Sequence, residues 1–147
     1  MSAFMAQSPT ALDAGLIQTL REVFAERLHL GEAMRAQHGS SEAHFDTVLP
    51  DAVVFARSTE EVVAAVRACV AHNTPVIAYG AGTSIEGNTT PVRGGVTIDL
   101  SEMDQILQLN PEDFDVTVQA GVRREQLNAH LRDQGLFDAE RLLRTRP

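Results

Sequence analysis

The segment that most restricts this chain is Pro75-Val76-Ile77-Ala78-Tyr79, followed at once by Gly80-Ala81-Gly82-Thr83-Ser84-Ile85-Glu86-Gly87-Asn88. The apolar run reads as a strand, and the glycines end it in a loop free to adopt positive φ. Without Cβ atoms in the way, successive amides can face one point and form an anion nest, and the Thr83 and Ser84 hydroxyls add donors. Hydrogen bonds to a charged group contribute about 1.5–3 kcal/mol each, so three or four hold a pyrophosphate without help from lysine. The chain has no lysine at all; its 12 basic residues are arginines. A P-loop needs Gly-Lys-Ser/Thr, and a Rossmann fingerprint needs a third glycine opening a helix after the first strand. Here the loop follows the second strand, and Asn88-Thr89-Thr90-Pro91 opens no helix. Both standard phosphate loops are excluded, and a tight turn that merely uses glycine stays open.

The flanking chain predicts an α+β fold. Leu16, Ile17, Leu20, Val23, Phe24 and Leu28 recur at helical spacing after Asp13, which predicts an amphipathic helix over 13–29. Periodicity fades over 30–46, read as a linker or irregular wrap. Ala52–Ala56 is a short buried strand. Ser58-Thr59-Glu60-Glu61 supplies a capping box, with the Ser58 hydroxyl accepting from the Glu61 amide and the Glu61 carboxylate reaching back. The helix it opens carries an apolar stripe of Val62, Val66 and Val70, with Val63 and Cys69 beside them, and ends near His72-Asn73. The strand 75–79 then completes a β-α-β unit, right-handed by default. After Gly94-Gly95, Val96–Leu100 is another strand. Residues 106–110 and 115–120 flank Pro111-Glu112-Asp113 as an antiparallel hairpin, and 125–134 is a helix with Gly135 as its C-cap. The expected architecture is a small mixed sheet flanked by helices.

Composition narrows the partners. A chain of 147 residues buries roughly 68–70% of its unfolded surface, enough for one domain. A formal net charge of -8 disfavours nucleic acid or anionic lipid as the main partner. The lone Cys69 excludes an internal disulfide and a cysteine-based zinc site. No stretch reaches the 18 or more apolar residues of a membrane span, and neither a signal peptide nor an arginine-rich transit peptide is legible before Arg21, so the cytoplasm is the default address. His29, His38, His44, His72 and His130 form no ligand pattern and read as solvated or half-buried; no metal site is expected. Ser84 lacks a nucleophile-elbow context. Glu86 reads as solvated or bonded to amides, Glu60-Glu61 as favourable charge at a helix N-terminus, and Arg141, Arg144 and Arg146 as a solvated tail. No residue is assigned a catalytic role.

One family unites these pieces. Leu49–Phe55, Arg57–Val62, Pro75–Gly87, Gly94-Gly95-Val96 and Gln119–Asn128 resemble the FAD-binding domain of the vanillyl-alcohol-oxidase superfamily. The nearest branch is FAD-linked D-lactate dehydrogenase and the glycolate oxidase flavin subunit, whose lead-in Arg35–Glu42 also resembles. The resemblance runs from about Leu16 to Phe137. It implies the N-terminal subdomain of a two-subdomain FAD-binding fold of the p-cresol methylhydroxylase (PCMH) type: helix and linker over 1–48, the first part of the domain over 49–137, and a non-family tail over 138–147.

The resemblance further implies that Gly80, Ala81, Gly82, Thr83 and Ser84 bind the FAD pyrophosphate, that Gly87 and Asn88 continue the contact, and that Gly121 in Ala120-Gly121-Val122 lies against the dinucleotide. Ala120 and Ala56 replace common prolines, and Asn88 a common glycine. Where some relatives link flavin to a histidine this chain has Thr83, so FAD is expected to be non-covalent there. After Phe137 the family pattern stops, which implies a truncated chain without the substrate domain. Complete relatives oxidise a D-2-hydroxy acid by hydride transfer to the flavin, so a small 2-hydroxy acid is expected as substrate of a full-length form only. The alternative is a non-catalytic phosphate-binding or oligomerisation module, and a homo-oligomer stays open. Gly82→Val is expected to abolish FAD or ADP affinity and leave the fold largely intact.

Overall fold

The chain divides into two compact units, 1–102 and 103–147, and among the described residues the first holds four short strands and three α-helices. The structure, a computed structural model, describes residues 12–40 and 46–136. Helix α1 (Ala14–Phe24) opens on Asp13, whose carboxylate accepts from the amides of Gly15 and Leu16, as an N-cap should. His72 Nδ1 lies 2.9 Å from the same carboxylate, which ties the start of α1 to the end of α3 (Thr59–Ala71).

The helix expected over 13–29 stops at Phe24. Ala25 turns to φ 49°, residues 25–27 form a 3-10 turn, and Leu28–His29 become strand β1, paired antiparallel with Val54 and Val53 of β2 (Ala52–Phe55). The cause is tertiary. Arg27 donates to the Phe55 carbonyl and forks onto both oxygens of Glu61 at 2.6 and 2.7 Å, which holds the chain against β2. Leu28, on helical spacing in the sequence, pairs with a strand instead. The expected irregular stretch contains helix α2 (Glu32–Gly39), whose buried face is His38 and Gly39 and so carries no hydrophobic period. His44 and the tail with Arg141, Arg144 and Arg146 lie outside the described residues.

β2, β3 (Val76–Tyr79) and β4 (Val96–Asp99) are parallel, and β4 sits between the other two in the order β1-β2-β4-β3. Gly95 enables the insertion. It sits at φ 96°, and a Cβ there would stand 2.3 Å from the Pro75 carbonyl. Its amide donates to Asp51 while its carbonyl accepts from the Asp51 amide, at 2.6 and 2.7 Å.

The expected capping box forms by half. Ser58 Oγ accepts from the Glu61 amide at 3.3 Å, but the Glu61 carboxylate takes the Arg57 amide and Arg27 rather than the cap residue. The expected valine stripe is also corrected. α3 buries Ala65, Ala68 and Cys69, while Val63, Val66 and Val70 are exposed, Val70 by 72%. Small side chains let the helix approach its neighbours closely, so the core is built from Leu16, Leu20 and Phe24 of α1, the α3 alanines and the strands.

The second unit carries the expected hairpin, β5 (Ile106–Asn110) with β6 (Asp115–Val118), and helix α4 (Arg124–Asp133). Gly135 and Leu136 donate to the Arg132 and Leu131 carbonyls, a Schellman closure at the expected glycine.

Candidate functional site

In parallel register, Phe55, Asp99 and Tyr79 form one row at the C-terminal ends of β2, β4 and β3. This edge is where open α/β sheets bind ligands, and the glycine-rich loop leaves it directly from Tyr79. The turn is closed by Thr90 donating to the Gly87 carbonyl (3.0 Å), and Ser84 Oγ accepts a long contact from the Glu86 amide (3.4 Å). Among the described residues the amides of Gly80, Ala81, Gly82, Thr83, Ser84, Ile85, Gly87 and Asn88 have no acceptor. Six consecutive N–H groups without a protein acceptor, in a loop whose Gly80, Ala81, Thr83 and Ile85 are exposed, leave donors that a bound anion could take. Gly82 and Gly87 supply the positive φ values, 69° and 74°.

Thr89, at the loop's end, was missed by sequence reasoning. It is 7% exposed, and its buried Oγ1 has no partner. A threonine hydroxyl left alone in a folded protein marks a place for water or a ligand atom; in the sequence it was indistinguishable from its neighbour Thr90. Gly121 lies in the second unit, and its amide donates to the Met103 carbonyl at 2.8 Å. The Gly121 amide is therefore already paired within its own unit. Glu86 is exposed.

Beneath the loop lies a buried ion pair that sequence reading also missed. His38, expected to be solvated or half-buried, is 3% exposed. Its Nε2 lies 2.7 Å from Asp99 Oδ2 and its Nδ1 2.9 Å from the Met34 carbonyl. The other Asp99 oxygen accepts the Ser101 amide at 2.7 Å. The two residues are 61 positions apart, with no local pattern to join them. Burial works against charge on His38, but the Asp99 and Met34 bonds outweigh it and hold the imidazole above its ordinary value. Burial likewise opposes charge on Asp99, yet the bonds from His38 and Ser101 keep the carboxyl below the usual range. The His38 ring packs 4.5 Å from the Tyr79 ring and edge-on to Phe55 at 5.7 Å. Burial first, and the Asp99 charge second, push the Tyr79 phenol up.

Tyr79 in turn supports Gly82. A Cβ built on Gly82 would stand 2.2 Å from Tyr79 Oη and 2.7 Å from Cζ. The expectation that Gly82→Val leaves the fold intact is therefore corrected: the substitution strikes a packed ring and strains φ before any anion is considered. Gly80 has nothing within 4 Å of its added Cβ and is the cleaner probe. Among the described residues no group of three or more His, Cys, Asp or Glu is arranged to hold a metal, and no helix is long and apolar enough to cross a membrane.

The fold is a small mixed sheet flanked by helices, with a glycine-rich loop leaving the C-terminal edge of its parallel strands. The FAD binding domain family matches residues 50–142, and the chain belongs to it; its cofactor is FAD. The chain is 43% identical over 129 residues to the probable mitochondrial D-lactate dehydrogenase of Danio rerio, covering 87% of this chain and 26% of that protein. It is 35% identical over 89 residues to the glycolate oxidase subunit GlcD of Bacillus subtilis, covering 60% and 19%. Among solved structures, p-cresol methylhydroxylase with substrate bound superposes with a TM-score of 0.76 at 23% identity, over 87% of this chain and 27% of that one. The fold is thus that of the FAD-binding domain of the PCMH/vanillyl-alcohol-oxidase group. The chain spans about a quarter of the length of the D-lactate dehydrogenases it matches.

Proposed function

We propose that this chain is the pyrophosphate-holding portion of an FAD-linked oxidoreductase acting on a D-2-hydroxy acid of the lactate or glycolate type. The observation that carries the reading is the unpaired amide run at the C-terminal edge of the parallel strands, within a chain whose relatives include D-lactate dehydrogenases and a glycolate oxidase subunit. Gly80, Ala81, Gly82, Thr83 and Ser84 would hold the cofactor's phosphates, with Gly87 and Asn88 continuing the cradle, the Thr89 hydroxyl as a further donor and Gly121 permitting close approach. The donor set fits: neutral N–H and O–H groups receive a diphosphate without a lysine. When bound, FAD supplies the acceptor for the hydride leaving C2 of the hydroxy acid. Thr83 offers no histidyl nitrogen, so the cofactor is not linked covalently at this position. None of the described residues is assigned the proton transfer, and these 147 residues are not expected to turn over D-lactate.

FAD added to the protein should change its flavin emission, and ADP should compete. Ser84→Ala should weaken both by about tenfold or more, the loss of one hydrogen bond of 1.5 kcal/mol or above to a charged group. Flavin that survives acid precipitation, or FAD and ADP titrations identical in the variant, would overturn the assignment. The domain plan of 1–48, 49–137 and 138–147 and a cytoplasmic address remain part of this proposal; fractionation with mitochondria, as several relatives' names suggest, would overturn the latter. A homo-oligomer is favoured by the exposed Val63, Val66 and Val70 face of α3 and is read directly by sedimentation.

A further inference from the structure

We propose that the buried His38–Asp99 pair is a positioning element for the glycine-rich loop, acting through Tyr79 on Gly82, and that its charge state tunes how the loop holds a diphosphate. The inference rests on reading that loop as the dinucleotide site. The chain of contact is continuous. His38 reaches from α2 to Asp99 on β4, its ring packs on Tyr79 of β3, and the Tyr79 hydroxyl occupies the space where a Gly82 side chain would be. Asp99 and Tyr79 are register partners, so the pair and the ring share one row of the sheet.

Proton counting makes the arrangement two-state. The Met34 carbonyl can only accept, so Nδ1 carries a proton; the Asp99 carboxylate also accepts, so Nε2 carries one too. His38 is therefore an imidazolium in the paired state. Removing its proton leaves a nitrogen lone pair 2.7 Å from a carboxylate oxygen, acceptor against acceptor in a site without exposed surface. The two must then separate, and of the two rings that pack on His38 among the described residues, Phe55 and Tyr79, the nearer is Tyr79. The groups facing His38 are Asp99 from β4, Tyr79 from β3, Phe55 from β2 and the Met34 carbonyl from its own helix; of these only Asp99 and Tyr79 titrate. Because the imidazole's folded value lies above its ordinary 6.5, the pair contributes fully below that value and is lost as pH rises through the raised one.

Tyr79 is the one tyrosine and the chain has no tryptophan, so tyrosine emission reports the surroundings of Tyr79 alone. The 147-residue chain is titrated upward from pH 6 with three readouts: Tyr79 emission, the Gly82 amide resonance and the affinity for ADP. All three should move through one transition, and ADP should bind about fivefold more weakly at the high-pH end, the lower range of coupling between linked sites. Asp99→Asn keeps every bond, since its amide donates to neutral Nε2 and its oxygen accepts from Ser101; it should fold and abolish the transition in all three readouts. His38→Gln, which retains a donor to Asp99, should do the same. A flat Tyr79 emission, a Gly82 amide that ignores the transition, or ADP affinity unchanged through it would each overturn the proposal. Co-titration of Tyr79 and Gly82 without ADP binding at any pH would uphold the coupling and overturn the FAD reading of the loop.

Discussion

Replacing Gly82 by alanine tests the packing on which the loop depends. Its φ of 69° is a left-handed conformation that costs an L-residue about 1–2 kcal/mol. The new methyl would also stand 2.2 Å from Tyr79 Oη, and Tyr79 cannot swing freely because His38 lies 4.5 Å away on its ring. Overpacking of this kind costs about 1–3 kcal/mol, so Gly82→Ala should destabilise by about 2–5 kcal/mol. With a mid-range urea m-value of about 2 kcal/mol/M, the midpoint should fall by roughly 1–2.5 M. Gly80→Ala is the control. Its methyl meets nothing within 4 Å, so stability should change by less than about 0.5 kcal/mol, or rise slightly through the unfolded chain's lost entropy. Far-UV circular dichroism in urea measures both. Tyr79→Phe removes the closest clashing atom, so in that background Gly82→Ala should cost at least ~1 kcal/mol less, a coupling that a double-mutant cycle isolates. Equal midpoints for Gly82→Ala and wild type, or strict additivity with Tyr79→Phe, would refute the reasoning.

Glu61→Gln should cost about 1–3 kcal/mol in urea unfolding, because Arg27, only 14% exposed at its side chain, loses its charged partner. The Arg27 bond holds the Glu61 carboxyl below its ordinary 4.5. The wild-type stability from this pair is therefore present above that value and lost as pH falls through the depressed one; a variant with unchanged acid sensitivity would contradict the pairing. Val70→Lys should leave stability within about 0.5 kcal/mol, since the side chain is exposed, whereas Ala65→Val, at 0% exposure, should cost about 1–3 kcal/mol by overpacking. The reverse ranking would restore the valine stripe to the core. Cys69 is buried and its thiol pushed up to about 11, so an aromatic disulfide reagent at pH 8 should react with it only after denaturant is added.

Short-range chemistry made much of this protein legible. The strand ending in glycines at Tyr79-Gly80, the Ser58 cap, the hairpin about 111–113 and the Gly135 closure all depend on neighbours within a few positions, where steric and hydrogen-bonding preferences act directly. The same locality made the loop readable as a turn rich in free donors, and the amides of residues 80–85 have no protein acceptor. What failed were inferences that needed a distant partner. Leu28 sits on helical spacing, yet Arg27 meets Glu61 and Phe55, and the chain turns to pair with β2. The α3 valines have the stronger hydrophobicity, but close approach to α1 favours the alanine and cysteine face. His38 and Asp99 carry no local signature because the pair exists only once α2 lies over the parallel sheet. Periodicity and turn chemistry are properties of neighbouring residues, so the one-dimensional string contains them. Which apolar face is covered, and which charges meet out of water, depends on distances that arise only when remote segments pack.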